Sequence, residues 1–530
     1  MISSVLIAGL LLTAPPEPFT ESIDVRVVNV EAVVTDGRGE RVRGLTSADF
    51  RLLVDGKEVP IDYFTEVADG EAASNPAKAG GGPIPPPVEG TVGRSILVFV
   101  DQAFSIGSQL DLVLDRVAEE VGRLGPEDRV AVVACDGTKL SVLTDWTDDR
   151  AAVLAALGKA RAGRMGGLAV RTEREALAMD KALEALVLKQ TATDFGGGVD
   201  GRLSSFPWKA ASKLQRTMAA ATAALRGFAG APGRKAVLLL SGGWPMALQP
   251  QLFPQLIDTA NRLGYTLYPV DGAGLEASPV AVPVSADTFG PQKGVSMNDG
   301  LIRGAWEREA EYSLEKLASL TGGKASLNSN RLAALGRLVD DTRSYYWIGF
   351  SPSWRGDGRR HAVRLEARRR GLDVRSRSSF TDLSRSTESA MEIEGRLLLG
   401  RDVQEKGLSV ELGAARRAGP REVEVPLTLE VPAGALSFIE TGPETFQAEL
   451  PLHITSFDKT QEPLDLPPAV LRVVVTKVPA AEELVRFQST VRLRRGEQRL
   501  RFVVQDAIHD KLLWGEGTVG AKQNAPSARL

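Results

Sequence analysis

Cysteine and histidine are nearly absent from this chain of 530 residues, with one Cys and three His. A lone Cys135 excludes an internal disulfide. It sits in the apolar run Val130-Ala131-Val132-Val133-Ala134-Cys135, which reads as a small buried hydrophobe and not as a nucleophile. His361, His453 and His509 fall in three different segments, so a zinc site built on paired-His spacing is unsupported. An excess of basic charge is lacking too. The formal net charge of −3 argues against a nucleic-acid partner, because such proteins carry a basic face to neutralise phosphates. The basic stretch from Arg355 to Arg377 alternates with Val363, Leu365 and Ala367 and reads as the solvated face of strands. No run is long enough to span a bilayer. The apolar run Val5 to Leu12 has the length of a signal-peptide core, which makes 1–20 a candidate leader, although no Lys or Arg precedes it and Pro15 follows the obvious cleavage point.

What the chain does have is length and ordinary globular composition, 43% hydrophobic and 25% charged. That size calls for about three domains. Residues 21–67 read as a small β module: Ile23, Val25 and Val27 alternate with polar residues, Val28, Val30, Ala32 and Val34 continue on a shifted phase, and Asp36-Gly37 and Asp55-Gly56 are turn signals. Residues 68–93 read as a linker around Gly80-Gly81-Gly82-Pro83-Ile84-Pro85-Pro86-Pro87, which suits neither ladder nor helix.

From 94 to 343 the pattern alternates strand and helix. Ser95–Val100, Arg129–Ala134, Ala236–Leu240 and Tyr265–Val270 are continuous apolar runs, as expected of strands buried on both faces of a parallel sheet. Leu140–Leu143 is a candidate edge strand. A helix is expected on the stripe Leu110, Val113, Leu114, Val117, Val121 and Leu124, stopped by Gly125-Pro126, and others at about 148–161, 172–190, 208–227, 251–263, 302–320 and 330–342, with a short strand at Lys324–Leu327. The expected class is therefore α/β, a doubly wound and mostly parallel sheet with flanking β modules. Residues 344–380 revert to strand character and are candidates for pairing with 21–67, a proposal that absence of contact between them would exclude. A helix is expected near 385–400. The regular β pattern within 381–520 suggests a sandwich-like domain, and 521–530 a disordered tail.

A strand ending in Asp101, followed by an amphipathic helix, resembles the first unit of the von Willebrand factor type A (VWFA) fold. The resemblance extends over about 20–380 to a bacterial, acidobacterial-type subfamily. Its earlier signature is Val33-Val34-Thr35-Asp36 through Gly44-Leu45, Asp49-Phe50 and Val54-Asp55-Gly56. Its later one is Leu317-Ala318-Ser319-Leu320-Thr321-Gly322-Gly323, then Arg343-Ser344-Tyr345-Tyr346 through Gly349-Phe350-Ser351-Pro352. The resemblance implies a Mg²⁺-binding adhesion site at the carboxyl ends of the strands, with oxygen ligands from Asp-x-Ser-x-Ser, from a Thr and from a second Asp. This chain departs in all three loops: Ala103 stands for the first serine, Leu168 (in Gly166-Gly167-Leu168) for the threonine and Gly242 (in Ser241-Gly242-Gly243) for the aspartate. Only Asp101 and Ser105 remain, so the site is read as degenerate, with no tight metal and no cofactor expected.

Asp101 is then either a residual ligand-binding carboxylate or a cap for the following helix and loop. Trp244 either anchors a partner or fills space that a metal would occupy. The Gly-rich loop 191–206 is either part of that surface or merely mobile. Gly322-Gly323-Lys324 departs from a phosphate loop, with Ala325 after the lysine and Ala318 at the leading position. Asp145, Asp148 and Asp149 read as helix-start carboxylates. No catalytic residues are assigned. The reading is an extracytoplasmic (periplasmic or secreted) module of adhesion type, binding an unidentified protein partner without metal through a surface of Asp101, Ser105, Gly167, Leu168, Ser241, Gly242 and Trp244. No nucleic acid and no integral membrane segment in the mature chain are expected. The alternatives are a carboxylate-based hydrolase, pairing Asp101 with Glu175 or Asp180, and a purely structural envelope component.

Overall fold

The computed structural model describes residues 27–72, 90–163, 165–170, 172–173, 205–229, 233–272, 296–353, 355–383, 391, 395, 407–420, 422–442, 444–457, 463–466, 469–506 and 511–520. The candidate leader, most of the linker, the segments 174–190 and 191–204, nearly all of 385–400 and the C-terminal tail lie outside them. Two compact units emerge, Ile23–Arg385 and one containing Ser386–Leu530.

Within the first unit, short strands come first: β1 (Val28–Asp36), β2 (Phe50–Val54), β3 (Lys57–Val59), β4 (Tyr63–Ala68), β5 (Glu71–Ala72) and β6 (Gly90–Thr91). Then follow β7 (Arg94–Asp101), β8 (Arg129–Cys135), β9 (Leu140–Thr147), β10 (Arg234–Ser241) and β11 (Tyr265–Asp271). The unit ends with β12 (Tyr345–Phe350), β13 (Asp357–Ala367), β14 (Leu372–Arg375) and β15 (Ser379–Leu383).

A five-stranded sheet runs in the order β11-β10-β7-β8-β9. Its first four strands are parallel and β9 is antiparallel. The apolar runs explain why it is interior. Ile96, Val98 and Val100 pack with Leu110, Val113 and Leu114 of the helix Gly107–Glu120 and with Leu335 and Leu338 of the helix Ala334–Thr342. Leu97 and Phe99 face Ala221 and Leu225 of the helix Ser205–Gly227 and Leu256 of the helix Leu252–Leu263. Asp149 caps the helix Arg150–Arg161, its side chain accepting from Ala151 N at 2.8 Å. A 3-10 turn over Asn328–Ala333 precedes Ala334–Thr342, and Lys324–Leu327 contributes a single parallel bridge, Ser326 to Val270.

The remaining strands of this unit form two antiparallel sheets, β14-β1-β12-β4-β5-β6 and β15-β13-β2-β3. Val30 lies opposite Ile348 and Leu52 opposite Leu365, so the chain before the parallel sheet pairs with the chain after it. Their shared core holds Leu45, Phe50, Phe64, Tyr346 and Phe380. The rings of Phe50, Phe64 and Tyr346 lie 5.4–5.6 Å apart, and the buried Tyr346 hydroxyl donates to Val42 O at 2.9 Å and accepts from Leu45 N at 3.2 Å. Asp341 ties this pair of sheets to the parallel one: it receives the guanidinium groups of Arg41 and Arg375 and the hydroxyl of Tyr268 at 2.8 Å. Arg234, itself buried, pairs with Glu31 at 3.1 Å and lies over the Tyr345 ring.

The C-terminal unit has two antiparallel sheets. One comprises Ser409–Leu412, Arg416–Arg417, Glu422–Pro432 and Leu484–Arg494. The other is built on Thr445–Phe457, Ala469–Val475, Gln498–Asp506 and Lys511–Val519, with the short strands Ile439–Gly442 and Pro463–Asp465 at its margins. Alternate residues of both sheets, including Val425, Leu427, Phe487, Leu450 and Phe502, share one core.

The class of the chain therefore differs from the doubly wound, mostly parallel α/β arrangement with flanking β modules that the sequence suggests. Among the described residues strand exceeds helix, 45% against 29%, and four of their five sheets are wholly antiparallel. The described residues are mostly β, with parallel pairing limited to β7, β8, β10 and β11 and the single bridge from Ser326 to Val270. Fully buried parallel strands give long apolar runs that dominate a reading of hydropathy, whereas half-exposed antiparallel strands leave a weaker alternation.

Candidate functional site

The strongest polar constellation at the carboxyl end of the parallel strands is centred on Asp101, the last residue of β7. The strand delivers this carboxylate into the interior, where it is fully buried. Its Oδ1 accepts from Ala103 N at 3.0 Å and Phe104 N at 3.2 Å; its Oδ2 accepts from Ser241 Oγ at 2.6 Å and Trp244 Nε1 at 2.8 Å. Burial pushes the Asp101 carboxyl above its ordinary value, against the pull of these four donors. Trp244 has no exposed surface. Its ring lies against Phe253, and its backbone N donates to Ser313 Oγ at 3.0 Å.

Three loops converge here. Gly166 N donates to Gln102 O at 2.7 Å and Gly167 N to Ser105 O at 3.1 Å. A Cβ on Gly167 would lie 2.4 Å from Ser105 O, so this approach requires glycine. Gly272 N donates to Ser241 O at 2.8 Å, and Ile106 N donates to Gly272 O at 3.2 Å.

The structure thus brings Asp101, Ser105, Gly167, Ser241, Gly242 and Trp244 to one pole, but most of them do not form a surface. Asp101, Ser105, Gly167, Ser241 and Trp244 are buried and Gly242 is half-buried, while Leu168 points outward with 60% of its surface exposed. The indole of Trp244 is spent inside the protein, on Asp101. The Ser105 hydroxyl is buried with no hydrogen-bond partner among the described residues. Glu175 and Asp180 lie outside the described residues, so an acid pair with Asp101 has no geometry here.

Other residues of this pole escape a reading of the sequence. Gln102 is buried and donates to Ala160 O at 2.7 Å. Asp271 ends β11 as Asp101 ends β7 and lies 3.6 Å from Arg331; the repeated Val-Asp strand ending (Val100-Asp101 and Val270-Asp271) is the signal that marks it. Ser313 comes from a distant helix, and nothing local points to it.

The remaining motifs resolve as packing. Burial pushes the Cys135 thiol up to about 11, which keeps it protonated and inert. A Cβ on Gly323 would lie 1.9 Å from Leu267 O, so the Gly322-Gly323 turn lets a helix end meet β11. Within the basic stretch, Arg360 pairs with Asp258, Arg364 with Glu366, Arg368 with Glu58 and Arg375 with Asp341. Among the described residues one cluster has side chains that could ligate a metal, Asp357, His361 and Asp382, on the antiparallel strands β13 and β15.

No protein-family model matches the chain, and no curated protein matches it. Solved structures similar to parts or most of it include the VWA domain of SpRpn10, at 10% identity over 36% of this chain and 90% of that one, with a TM-score of 0.15. Another is VWA2, an ArnB paralog from Sulfolobus acidocaldarius, at 6% identity over 93% of this chain and 75% of that one, with a TM-score of 0.20. The pilus adhesin SpaC of Lactobacillus rhamnosus GG is similar at 8% identity over 88% of this chain and 60% of that one, with a TM-score of 0.17. No described helix is long and apolar enough to cross a membrane.

Proposed function

We propose that the protein is an extracytoplasmic binding module of adhesion type that engages a protein partner without a metal ion, and that its pole is a degenerate form of the VWFA adhesion site. The observation that carries this reading is the state of Asp101. Both of its oxygens are taken by donors of the chain itself, and the Trp244 indole occupies one side of it. A divalent ion needs charged oxygen ligands. To use Asp101 it would have to displace the Trp244 N–H or the Ser241 hydroxyl, and Ala103, Leu168 and Gly242 offer no side-chain oxygen in exchange.

Partner contact on this reading falls to the rim and not to the buried centre. Leu168 is 60% exposed beside the pole. Lys213 of the helix Ser205–Gly227 reaches the same pole beside Gly166 and Gly137, and Trp208, a turn and a half earlier on that helix, is 79% exposed. Exposed apolar side chains of this size serve as anchors in protein interfaces.

The test is capture of partners from bacterial envelope extract by the immobilised chain, with and without a chelator, alongside thermal melts in Mg²⁺. Capture that persists in chelator, that weakens at least tenfold in Leu168→Glu and Trp208→Glu, and a Tm indifferent to Mg²⁺ are the expected results. A clear upward shift of Tm in Mg²⁺ would contradict the metal-free reading.

A further inference from the structure

The cluster Asp357, His361 and Asp382 is assembled on β13 and β15 against a turn of the preceding hairpin. It begins with the two-residue turn Asp55-Gly56 that closes the β2–β3 hairpin, both residues having positive φ of 49° and 78°. The turn directs the Asp55 side chain at β13. Its Oδ1 accepts from Ala362 N at 2.9 Å, and its Oδ2 meets His361 Nδ1 at 2.7 Å. The carboxylate therefore holds the proton on Nδ1 and leaves Nε2 as the nitrogen with a free lone pair. Phe380 stacks on the imidazole at 4.9 Å and 19° between planes, which fixes the ring's orientation.

The two carboxylates are positioned as well. Asp382, on β15, is 3% exposed, and its oxygens accept from Arg355 N at 2.8 Å and Gly356 N at 3.0 Å. Each of those oxygens keeps a second lone pair. A register shift between Asp357 and Arg360 sets Asp357 opposite Leu383, next to Asp382. Asp357 spends Oδ1 on Arg359 N at 3.0 Å and is otherwise exposed. One ligand atom from each of the three residues lies within 4.8 Å of the other two. Arg360 does not neutralise the cluster, since its guanidinium is engaged by Asp258 at 2.6 Å.

We propose that Asp357, His361 and Asp382 bind one divalent transition-metal ion, with Asp55 as the positioning residue behind the histidine. One imidazole nitrogen and two carboxylates favour an ion of the Zn²⁺ type over Mg²⁺ or Ca²⁺, which prefer oxygen alone. Three protein ligands leave one tetrahedral position open. Ligand atoms around tetrahedral Zn²⁺ lie about 3.3 Å apart, so the site must tighten on the ion, and the exposed Asp357 side chain has room to do so. Bound there, the ion links β13 to β15 directly and to the β2–β3 turn through Asp55. The inference is independent of the proposed partner-binding pole, which lies on the parallel sheet.

The test is calorimetric titration of the full chain, freed of metal by chelator, with ZnCl₂, with circular dichroism confirming the fold of each variant. Saturable uptake of one equivalent and a Zn²⁺-dependent rise in Tm are expected of the wild type. His361→Gln should abolish both. The exposed Asp357→Asn should weaken affinity at least tenfold, and it keeps the test open if the buried Asp382→Asn does not fold. Asp55→Asn should weaken affinity ~10–100-fold with the stoichiometry still one, as loss of an outer partner does. Absence of saturable uptake by the wild type would overturn the site, and so would wild-type affinity in His361→Gln or Asp357→Asn, which would place the ion elsewhere. Wild-type affinity in Asp55→Asn would overturn the positioning role.

Discussion

At the scale of single residues, the pole separates groups whose hydrogen bonds are complete from one whose bonds are not. Ser105 Oγ is buried without a partner among the described residues, and such a hydroxyl carries a desolvation cost of about 1–3 kcal/mol. Ser105→Ala is therefore expected to leave the stability of the protein unchanged or to raise it, as read from the denaturation midpoint; a loss above about 1 kcal/mol would mean that the hydroxyl has a partner in solution. Trp244 is the opposite case. Trp244→Ala opens a cavity in a fully buried position and strips one donor from Asp101, for an expected loss of about 3–5 kcal/mol. Two carboxylates, one buried and one half-buried, then give opposite acid responses. Burial raises Asp101 above its unfolded value, so the folded state favours its protonated form, and this group costs stability as pH rises from about 3.8 through its folded pKa. Burial pushes Asp341 the same way, but Arg375 and then Arg41 outweigh it and hold the carboxyl below 3.8. Its contribution is complete above the unfolded value and is lost as pH falls through the folded one. Asp341→Asn should cost about 3–5 kcal/mol at neutral pH, because Arg41 and Arg375 lose a half-buried partner, and should flatten the acid limb of a stability–pH profile. An acid limb unchanged in Asp341→Asn would remove this network as its cause.

At the scale of elements, close approaches decide which glycines matter. The Gly322-Gly323 turn is where a helix end passes β11, with Leu267 O 1.9 Å from where a Cβ of residue 323 would sit. Thr321 Oγ1 accepts from Leu267 N at 3.0 Å across the same junction. Gly323→Ala must push the helix off the strand, and a loss of about 3 kcal/mol is expected in chemical denaturation; a neutral substitution would show that the junction yields freely. Elements of this kind were legible to very different degrees. The apolar runs of β7, β8, β10 and β11 name themselves, because a strand covered on both faces has no polar alternation to obscure it. Asp149 before the helix Arg150–Arg161 is an equally local signal. By contrast, Lys324–Leu327 reads as a strand by composition but makes one bridge, and the helix expected at 330–342 starts as a 3-10 turn, Asn328–Ala333, before Ala334–Thr342, since the ends of an element are settled by what they pack on. The site was legible only where it is local: Asp101 and Ser241 end strands and Trp244 follows in the loop after β10, while the burial of the Trp244 indole against Asp101 joins residues 143 positions apart. The cluster of Asp357, His361 and Asp382 was invisible for a related reason, since its spacing matches no motif and its positioning carboxylate, Asp55, comes from 306 residues earlier than His361.

At the scale of the whole chain, the decisive fact is where pairing crosses the sequence. Read along the chain, the alternation of strand and helix set the expected class, with 344–380 as candidates for pairing with 21–67; among the described residues the antiparallel sheets outnumber the parallel one. β12 lies between β1 and β4, with Val30 opposite Ile348 on one side and Phe64 opposite Ile348 on the other. β13 takes β2 as one of its two neighbours. Residues 27–72 therefore cover both edges of the strand that follows the parallel sheet, and Arg41 closes on Asp341 at the same junction. A chain lacking 27–72 would leave β12 as an uncovered hydrophobic strand, Tyr345 to Phe350, with unpaired backbone on both sides, which is a template for association. Such a truncation is expected to elute as aggregate in size-exclusion chromatography and to lose the cooperative melt of Ile23–Arg385, whereas co-expression of residues 23–72 as a separate fragment should restore a monodisperse complex. A monomeric, cooperatively melting truncation would show that the parallel sheet and its helices stand without the strands that precede them.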